Sequence, residues 1–417
     1  MHRETNNLPP VEDSPTARMH SGPGWRTANA AQIAAALRSL RSRTLQVFDA
    51  YAAAGALHVP YSDALNPPLW ELGHVGWYQE SWIARNPQRD GGVRYKHALP
   101  LLPSILEQGD PWYDSSTVPH DVRWSLPLLD SQACKAYLAA TLAQTLALLA
   151  KAGSTDDALY FYRLVLFHEA MHLEAAVYMA QALGVPLPQT AYAAPLKGTA
   201  LGAQGAMHSV VSYANKYRAT AQLHIQKQAW TLGRSGPGFA FDNELGVHPV
   251  PLDSFDIDAA PVSFAQYLAY VESIGCALPR YVQRSASGYA HQVFGQWQAL
   301  DLSKPAVHLS QHEALAYCAH AGRRLPTEAE WECAAMTQPQ FAWGEVWEWT
   351  GSTFSPYPGF VAHPYRDYSE PWFYTRPVLR GACTATQEVM RHPQYRNYFM
   401  AGRTDIYAGF RTCARQR

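Results

Sequence analysis

The chain has 417 residues, enough for two or three domains, with 47% apolar residues and a formal net charge of −1. That balance provides no basic surface for nucleic acid, and no run approaches the roughly 20 apolar residues of a membrane helix. Six scattered cysteines without a CxxC pair are expected to be reduced and mostly buried, as in a soluble cytoplasmic protein. Residues 1–27 are polar and contain proline, with no apolar stretch of signal-peptide type, and are expected to form a flexible tail.

From Ala28 to Ala54, Ile33, Leu37, Leu40, Leu45 and Phe48 recur near the helical period. Pro67-Pro68 can open a second helix running through Gly73-His74 to Glu80, because proline is tolerated in a first turn. Residues 86–130 are rich in Pro, Gly and Asp and read as a long functional connection containing Asp110-Pro111-Trp112-Tyr113. A third helix is predicted over Ser131–Lys151 and a fourth over Asp156–Leu183. Four helices with one long crossover suggest a bundle over residues 28–190, whose core is a usual place for a metal.

Residues 191–225 are weakly patterned and read as a linker. Over residues 226–417, short β-type runs (228–233, 239–244 and 248–252) alternate with turns, and short helices are predicted near Ser263–Ile274 and Ser310–Ala321. The fold class is therefore α+β, a helical domain followed by an irregular mixed domain rich in Trp and Tyr.

The fourth helix carries His168-Glu169-Ala170-Met171-His172-Leu173-Glu174. Residues four apart share a helix face, so His168 and His172 can aim two imidazoles at one point. A bare HxxxH fits a half-built metal site and equally a buried histidine beside a solvated one. Glu174, roughly 200° around the helix from His172, does not share that face and reads as a supporting or structural residue, although spacing alone leaves a two-His-one-carboxylate site open.

The second half resembles the formylglycine-generating-enzyme fold, a variant of the C-type lectin fold. The resemblance rests on Phe241-Asp242-Asn243-Glu244, Pro261-Val262-Ser263, the run Arg324 to Glu332, Val346-Trp347-Glu348-Trp349-Thr350, Leu379-Arg380-Gly381 and Gly409-Phe410-Arg411. The first half, through Gly73-His74 and HxxxHxE, is similar to a four-helix DinB-like bundle. This order of domains resembles the iron-dependent sulfoxide synthases of ergothioneine biosynthesis, a group that includes selenoneine synthase. The resemblance implies iron(II) held by His74, His168 and His172, O2 as co-substrate, and hercynine, a trimethylated histidine betaine, as the acceptor at imidazole C2. It also implies an acceptor contact from Asn397, in Tyr395-Arg396-Asn397-Tyr398-Phe399, and a proton-donating tyrosine, for which Tyr113 is the candidate. The alternatives are an Asn397 that caps a turn and a Tyr113 that packs in the core.

Departures from the family pattern bear on the donor. Met171 stands where thiol-using members carry glutamine, and Phe399 where some carry aspartate. Of an arginine cluster suited to donor carboxylates, Arg123 remains. Met171, Phe399 and Arg123 are thus substrate-binding candidates, and the pattern favours a neutral selenosugar donor over cysteine or γ-glutamylcysteine. Two other readings are weighed. A formylglycine-generating oxidase lacks its cysteine pair here, since Cys383 stands alone, and a non-catalytic lectin-like module would not need three histidines in register.

Overall fold

The computed structural model describes residues 24–192, 221–286 and 288–415. Helix α1 (Ala30–Ala53) starts with a capping box, in which Asn29 and Gln32 exchange side-chain-to-backbone hydrogen bonds. Its Ile33, Leu37, Leu40, Val47 and Tyr51 are buried. Helix α2 (Pro68–Trp82) begins on the predicted proline. Helices α3 (Ser131–Leu149) and α4 (Asp156–Leu183) are capped by Asp130 and Thr155, and Gly184 ends α4 in the left-handed conformation at φ 70°. Helix α4 packs on α1, and α2 packs on both α3 and α4. Among the described residues, no helix is long and apolar enough to cross a membrane.

The connection between α2 and α3 is less irregular than its composition suggests. It contains 3-10 turns at Arg89–Arg94 and Asp121–Trp124, and a short helix at Gly109–Tyr113. Two polar anchors fasten it to α2 and to the residues just after α2. Buried Glu80 accepts from Ser104 Oγ at 2.8 Å, Ile105 N at 2.7 Å and the Tyr137 hydroxyl at 2.6 Å. Arg85 grips Asp110 with two hydrogen bonds of 2.6 and 2.8 Å.

The second domain holds two four-stranded sheets. One has the order β1 (Gln222–Ile225), β4 (Phe255–Asp258), β13 (Cys413–Ala414), β8 (Arg323–Arg324), and the other β11 (Asn397–Tyr398), β10 (Pro377–Gly381), β9 (Trp347–Thr353), β12 (Ala408–Gly409). A hairpin, β2 (Gln228–Leu232) with β3 (His248–Leu252), and a meander, β5 (Val282–Ser285), β6 (Gly288–Val293), β7 (Gln296–Ala299), complete the strands. Helices α5 (Phe264–Ile274), α6 (Gln311–His320) and α7 (Glu328–Thr337) each open with a capping box, from Ser263, Ser310 and Thr327. Several charged residues of the motifs form buried ion pairs: Arg380 with Glu332, Glu328 with Arg396 at 2.9 Å, and Arg411 with Glu348 through a second contact of 2.7 Å.

Three expectations need correction. Residues 239–244 are not a strand, because Phe239 and Phe241 turn inward around a 3-10 turn at Asp242–Glu244. Strand β1 lies inside the stretch assigned to the linker, so the second domain begins by Gln222; residues 193–220 of that linker lie outside the described residues. Residues 1–23 of the expected tail also lie outside them, but Trp25–Thr27 is a 3-10 turn with Trp25 and Arg26 buried. Arg26 makes two hydrogen bonds of 2.7 and 3.0 Å to Glu244. Its guanidinium also lies over Phe167 of α4, so this segment joins both domains.

Replacing one partner of such a pair strands a buried charge at a cost of about 3–5 kcal/mol. Arg26→Ala should therefore lower the urea midpoint markedly, while the Arg26→Ala, Glu244→Ala double variant should lose less than the sum of the singles. A wild-type midpoint for Arg26→Ala would show that the segment does not hold the domains.

Candidate metal centre at the domain interface

Three imidazoles from two helices converge. Candidate ligand nitrogens of His74 on α2 and of His168 and His172 on α4 all lie within 4.8 Å of one another. The Nε2 atoms of His168 and His172 are 3.2 Å apart. Two nitrogens at about 2.1 Å from one ion subtend roughly 3.0 Å at a right angle, so the spacing fits a shared metal. The donor set suits a borderline divalent ion such as iron(II) or zinc.

Two of the rings have their far nitrogens fixed. His74 Nδ1 lies 2.7 Å from the Tyr113 carbonyl oxygen, and His172 Nδ1 lies 2.5 Å from Glu71 Oε2. Each Nδ1 then carries the proton, which leaves the Nε2 lone pair for the metal. Tyr78 stacks face to face on His168, with centroids 3.4 Å apart. Burial, then the neighbouring His172, lowers His74 to about 3, and burial with the other two rings holds His168 well below the usual range. Both are neutral at physiological pH, as ligation requires. Burial alone would raise the Glu71 carboxyl, but His172 brings it down to about 2.

Glu71 is itself held. Asn66 Nδ2 donates to Glu71 Oε1 at 2.5 Å, and Arg123 Nη1 donates to Asn66 Oδ1 at 2.8 Å. Gly73 has a packing role: a Cβ there would lie 2.2 Å from the Tyr113 ring, so only glycine lets the connection approach α2 closely enough to reach His74.

A cavity of 330 Å³ opens beside the centre, between the bundle and the second domain. Met171, Asn397 and Phe399 line it, as do Glu71 and Glu174. Asn397 Oδ1 accepts from Tyr398 N at 2.9 Å. Two of the candidates lie off the cavity. The Arg123 guanidinium stacks over Trp70 at 3.8 Å and bonds Asn66 and the Val118 carbonyl, so its link to the site passes through Asn66 to Glu71. The Tyr113 phenol is buried beside Cys134 and does not line the cavity, whereas the Tyr113 carbonyl reaches the site. Tyr395 and Tyr368 do line it, their hydroxyls 2.8 Å apart, with Tyr395 Oη 3.6 Å from Met171 Sδ. Glu174 is not part of the histidine cluster: its Oε1 accepts from Trp347 Nε1 at 2.6 Å and from the Tyr178 hydroxyl.

The sequence reading missed Glu71, although it lies one helical turn before His74. It also missed the tyrosine pair, whose members are 27 residues apart and meet only through the fold.

The DinB superfamily matches residues 36–176, and the sulfatase-modifying factor enzyme 1-like domain matches residues 209–345. A hercynine oxygenase of Mycolicibacterium smegmatis is 28% identical over 91% of this chain and 97% of the relative. A second, from Mycobacterium tuberculosis, is 27% identical over 91% and 98%. The chain thus carries a DinB-like region followed by a sulfatase-modifying-factor-like region, and its likeness to hercynine oxygenases over nearly its whole length fits a family that fuses the two. A formylglycine-generating enzyme of Streptomyces coelicolor is 33% identical over 26% of this chain and 46% of its own length.

Removing a carboxylate that orients a metal-bound histidine typically costs 10–100-fold in affinity. Glu71→Ala should weaken iron(II) binding by that factor in anaerobic titration calorimetry, and His172→Ala should abolish it. Unchanged affinity in Glu71→Ala would show that the contact does not orient the ligand.

Proposed function

We propose that the protein is an O2-dependent nonheme iron(II) enzyme that forms a carbon–selenium bond at imidazole C2 of hercynine, with a selenosugar as donor. The single observation that carries the reading is the three-histidine cluster beside an aromatic cavity, the two joined through Glu71 and Met171. Its support in sequence is the likeness, over nearly the whole chain, to proteins named hercynine oxygenase.

His74, His168 and His172 would hold the iron, which when bound supplies O2 activation and one-electron chemistry. Glu71 and the Tyr113 carbonyl fix two of the rings, so little reorganisation is needed when the metal enters. For a selenol the hydrogens lost from C2 and selenium leave as one water, and the second oxygen atom ends on selenium. Tyr395 Oη is the proton source this reading assigns in place of the Tyr113 phenol. Burial raises the Tyr395 hydroxyl above its ordinary value, so it keeps its proton at neutral pH, and Tyr368 bonds to it.

The donor assignment has its own support. Among the described residues lining the cavity, the one arginine, Arg403, is engaged by Asp405 through hydrogen bonds of 2.5 and 2.6 Å. A donor with several carboxylates would have to break that pair, whereas a sugar needs only hydroxyl and aromatic contacts.

Mass spectrometry of reactions with hercynine and each donor, under air and under argon, tests the proposal. The expected result is an O2-dependent selenium product, at background level in His168→Ala. A preference for cysteine or γ-glutamylcysteine in direct competition would transfer the reading to the sulfur reaction, and product formation by His168→Ala would end it.

A further inference from the structure

Two tryptophans flank His74 on α2, each one helical turn away, and their electrostatic settings are opposite. Trp70 stacks on the imidazole with centroids 4.8 Å apart and planes at 10°, and Trp77 stacks from 5.7 Å at 27°. The Trp70 N–H donates to a neutral group, the Trp112 carbonyl, at 2.7 Å, and the Arg123 guanidinium lies over the ring at 3.8 Å. The Trp77 N–H donates instead to a carboxylate, Asp110 Oδ1, at 2.6 Å. The Arg85 fork, and after it the Trp77 N–H, hold the Asp110 carboxyl below its usual range, so it is ionised at neutral pH. Trp77 is buried, whereas the Asp110 side chain is 50% exposed and links the indole to solvent.

Loss of one electron leaves an indole positively charged and its N–H acidic. A carboxylate on that N–H stabilises the product, and a cation over the ring opposes it. Arg85 offsets part of the Asp110 charge, yet of the two indoles only Trp77 has a proton acceptor that reaches solvent. Tyr78, stacked on His168 at 3.4 Å, is a poor donor on the same ground. Its buried hydroxyl has no acceptor for its proton among the described residues, and a phenol gives up an electron readily only when the proton can leave.

We propose that Trp77 is a one-electron relay that drains oxidising equivalents from the three-histidine centre when no acceptor substrate is bound. This rests on the iron reading of that centre and is independent of the donor and acceptor. The oxidant is a peroxide, the two-electron reduction product of O2. Its O–O bond breaks as one electron comes from iron(II) and one from the Trp77 indole through His74. Two protons enter from solvent, two waters form, and the indole proton moves to Asp110. A thiol in solvent then returns one electron and one proton to the indole, and two thiyl radicals so formed join as a disulfide. The side chains spared are the ligand imidazoles and the Met171 thioether.

The test uses full-length protein loaded with iron(II), without hercynine or donor. It is mixed with hydrogen peroxide and freeze-quenched for electron paramagnetic resonance, while Mössbauer spectroscopy follows the loss of ferrous iron. The expected result is a tryptophan radical, identified by the narrowing that ring-deuterated tryptophan produces. The signal should be lost in Trp77→Phe, reduced several-fold in Asp110→Asn and kept in Trp70→Phe. Peptide mass spectrometry should find more oxidation of His168, His172 and Met171 in Trp77→Phe than in wild type, at an unchanged melting temperature and iron affinity. Oxidised iron with no tryptophan radical, or a radical that persists in Trp77→Phe, would overturn the relay and leave the iron reading standing. If Trp77→Phe does not fold, equal radical yields in wild type and Asp110→Asn would overturn the relay, and a yield lowered in Asp110→Asn but not in Trp70→Phe would uphold it. Protein that retains no iron, or whose iron stays ferrous in peroxide, would overturn the iron reading and the relay together.

Discussion

The structure depends on holding three imidazoles together at the meeting point of two helices. Left alone, such rings would be solvated or protonated apart. Here burial keeps His74 and His168 neutral, while a carbonyl and a carboxylate fix the proton positions of His74 and His172. Each of those two supports depends on the connection between α2 and α3. The Tyr113 carbonyl comes from it directly, and Glu71 is held through Asn66 by Arg123. The anchors at Glu80 and Arg85 are therefore part of the centre, since they fix the segment that orients two of its three rings.

The second domain contributes rigidity and one wall. Its motifs supply buried arginine–carboxylate pairs, two of which, Arg380–Glu332 and Arg396–Glu328, fix the sheet of β9, β10, β11 and β12 against α7. Trp347, Asn397 and the Tyr368–Tyr395 pair are carried on that frame and face α4 across the cavity. Glu174 and Trp347 join the two halves, so the cavity exists only when both domains are in place. A binding wall and a metal wall from different domains give a site that loop exchange on either side can retune.

Much of this was legible in the sequence where local rules govern. The boundaries of α4 and the start of α2 at a proline follow from apolar period and capping, as do the helices behind Ser263 and Ser310. The HxxxH pair and the Gly-His of α2 pointed to the three histidines that converge because helical spacing and family motifs are sequence-local. What escaped depends on contacts between distant segments. Arg123 and Tyr113 lie in the right segment but act through Asn66 and a backbone carbonyl, which composition does not reveal. Residues 239–244 alternate like a strand, yet Phe239 and Phe241 are recruited inward by Phe167 of the bundle. The meander of β5, β6 and β7 is largely exposed and polar, so it carries no apolar alternation to read.

The most direct test of the central claim is X-ray absorption spectroscopy of the protein loaded with iron(II) under argon. The account predicts a ferrous edge whose fine structure requires three imidazole ligands, with the remaining positions filled by light oxygen scatterers. A spectrum fitted by one imidazole or none, or iron bound only by carboxylates, would contradict it.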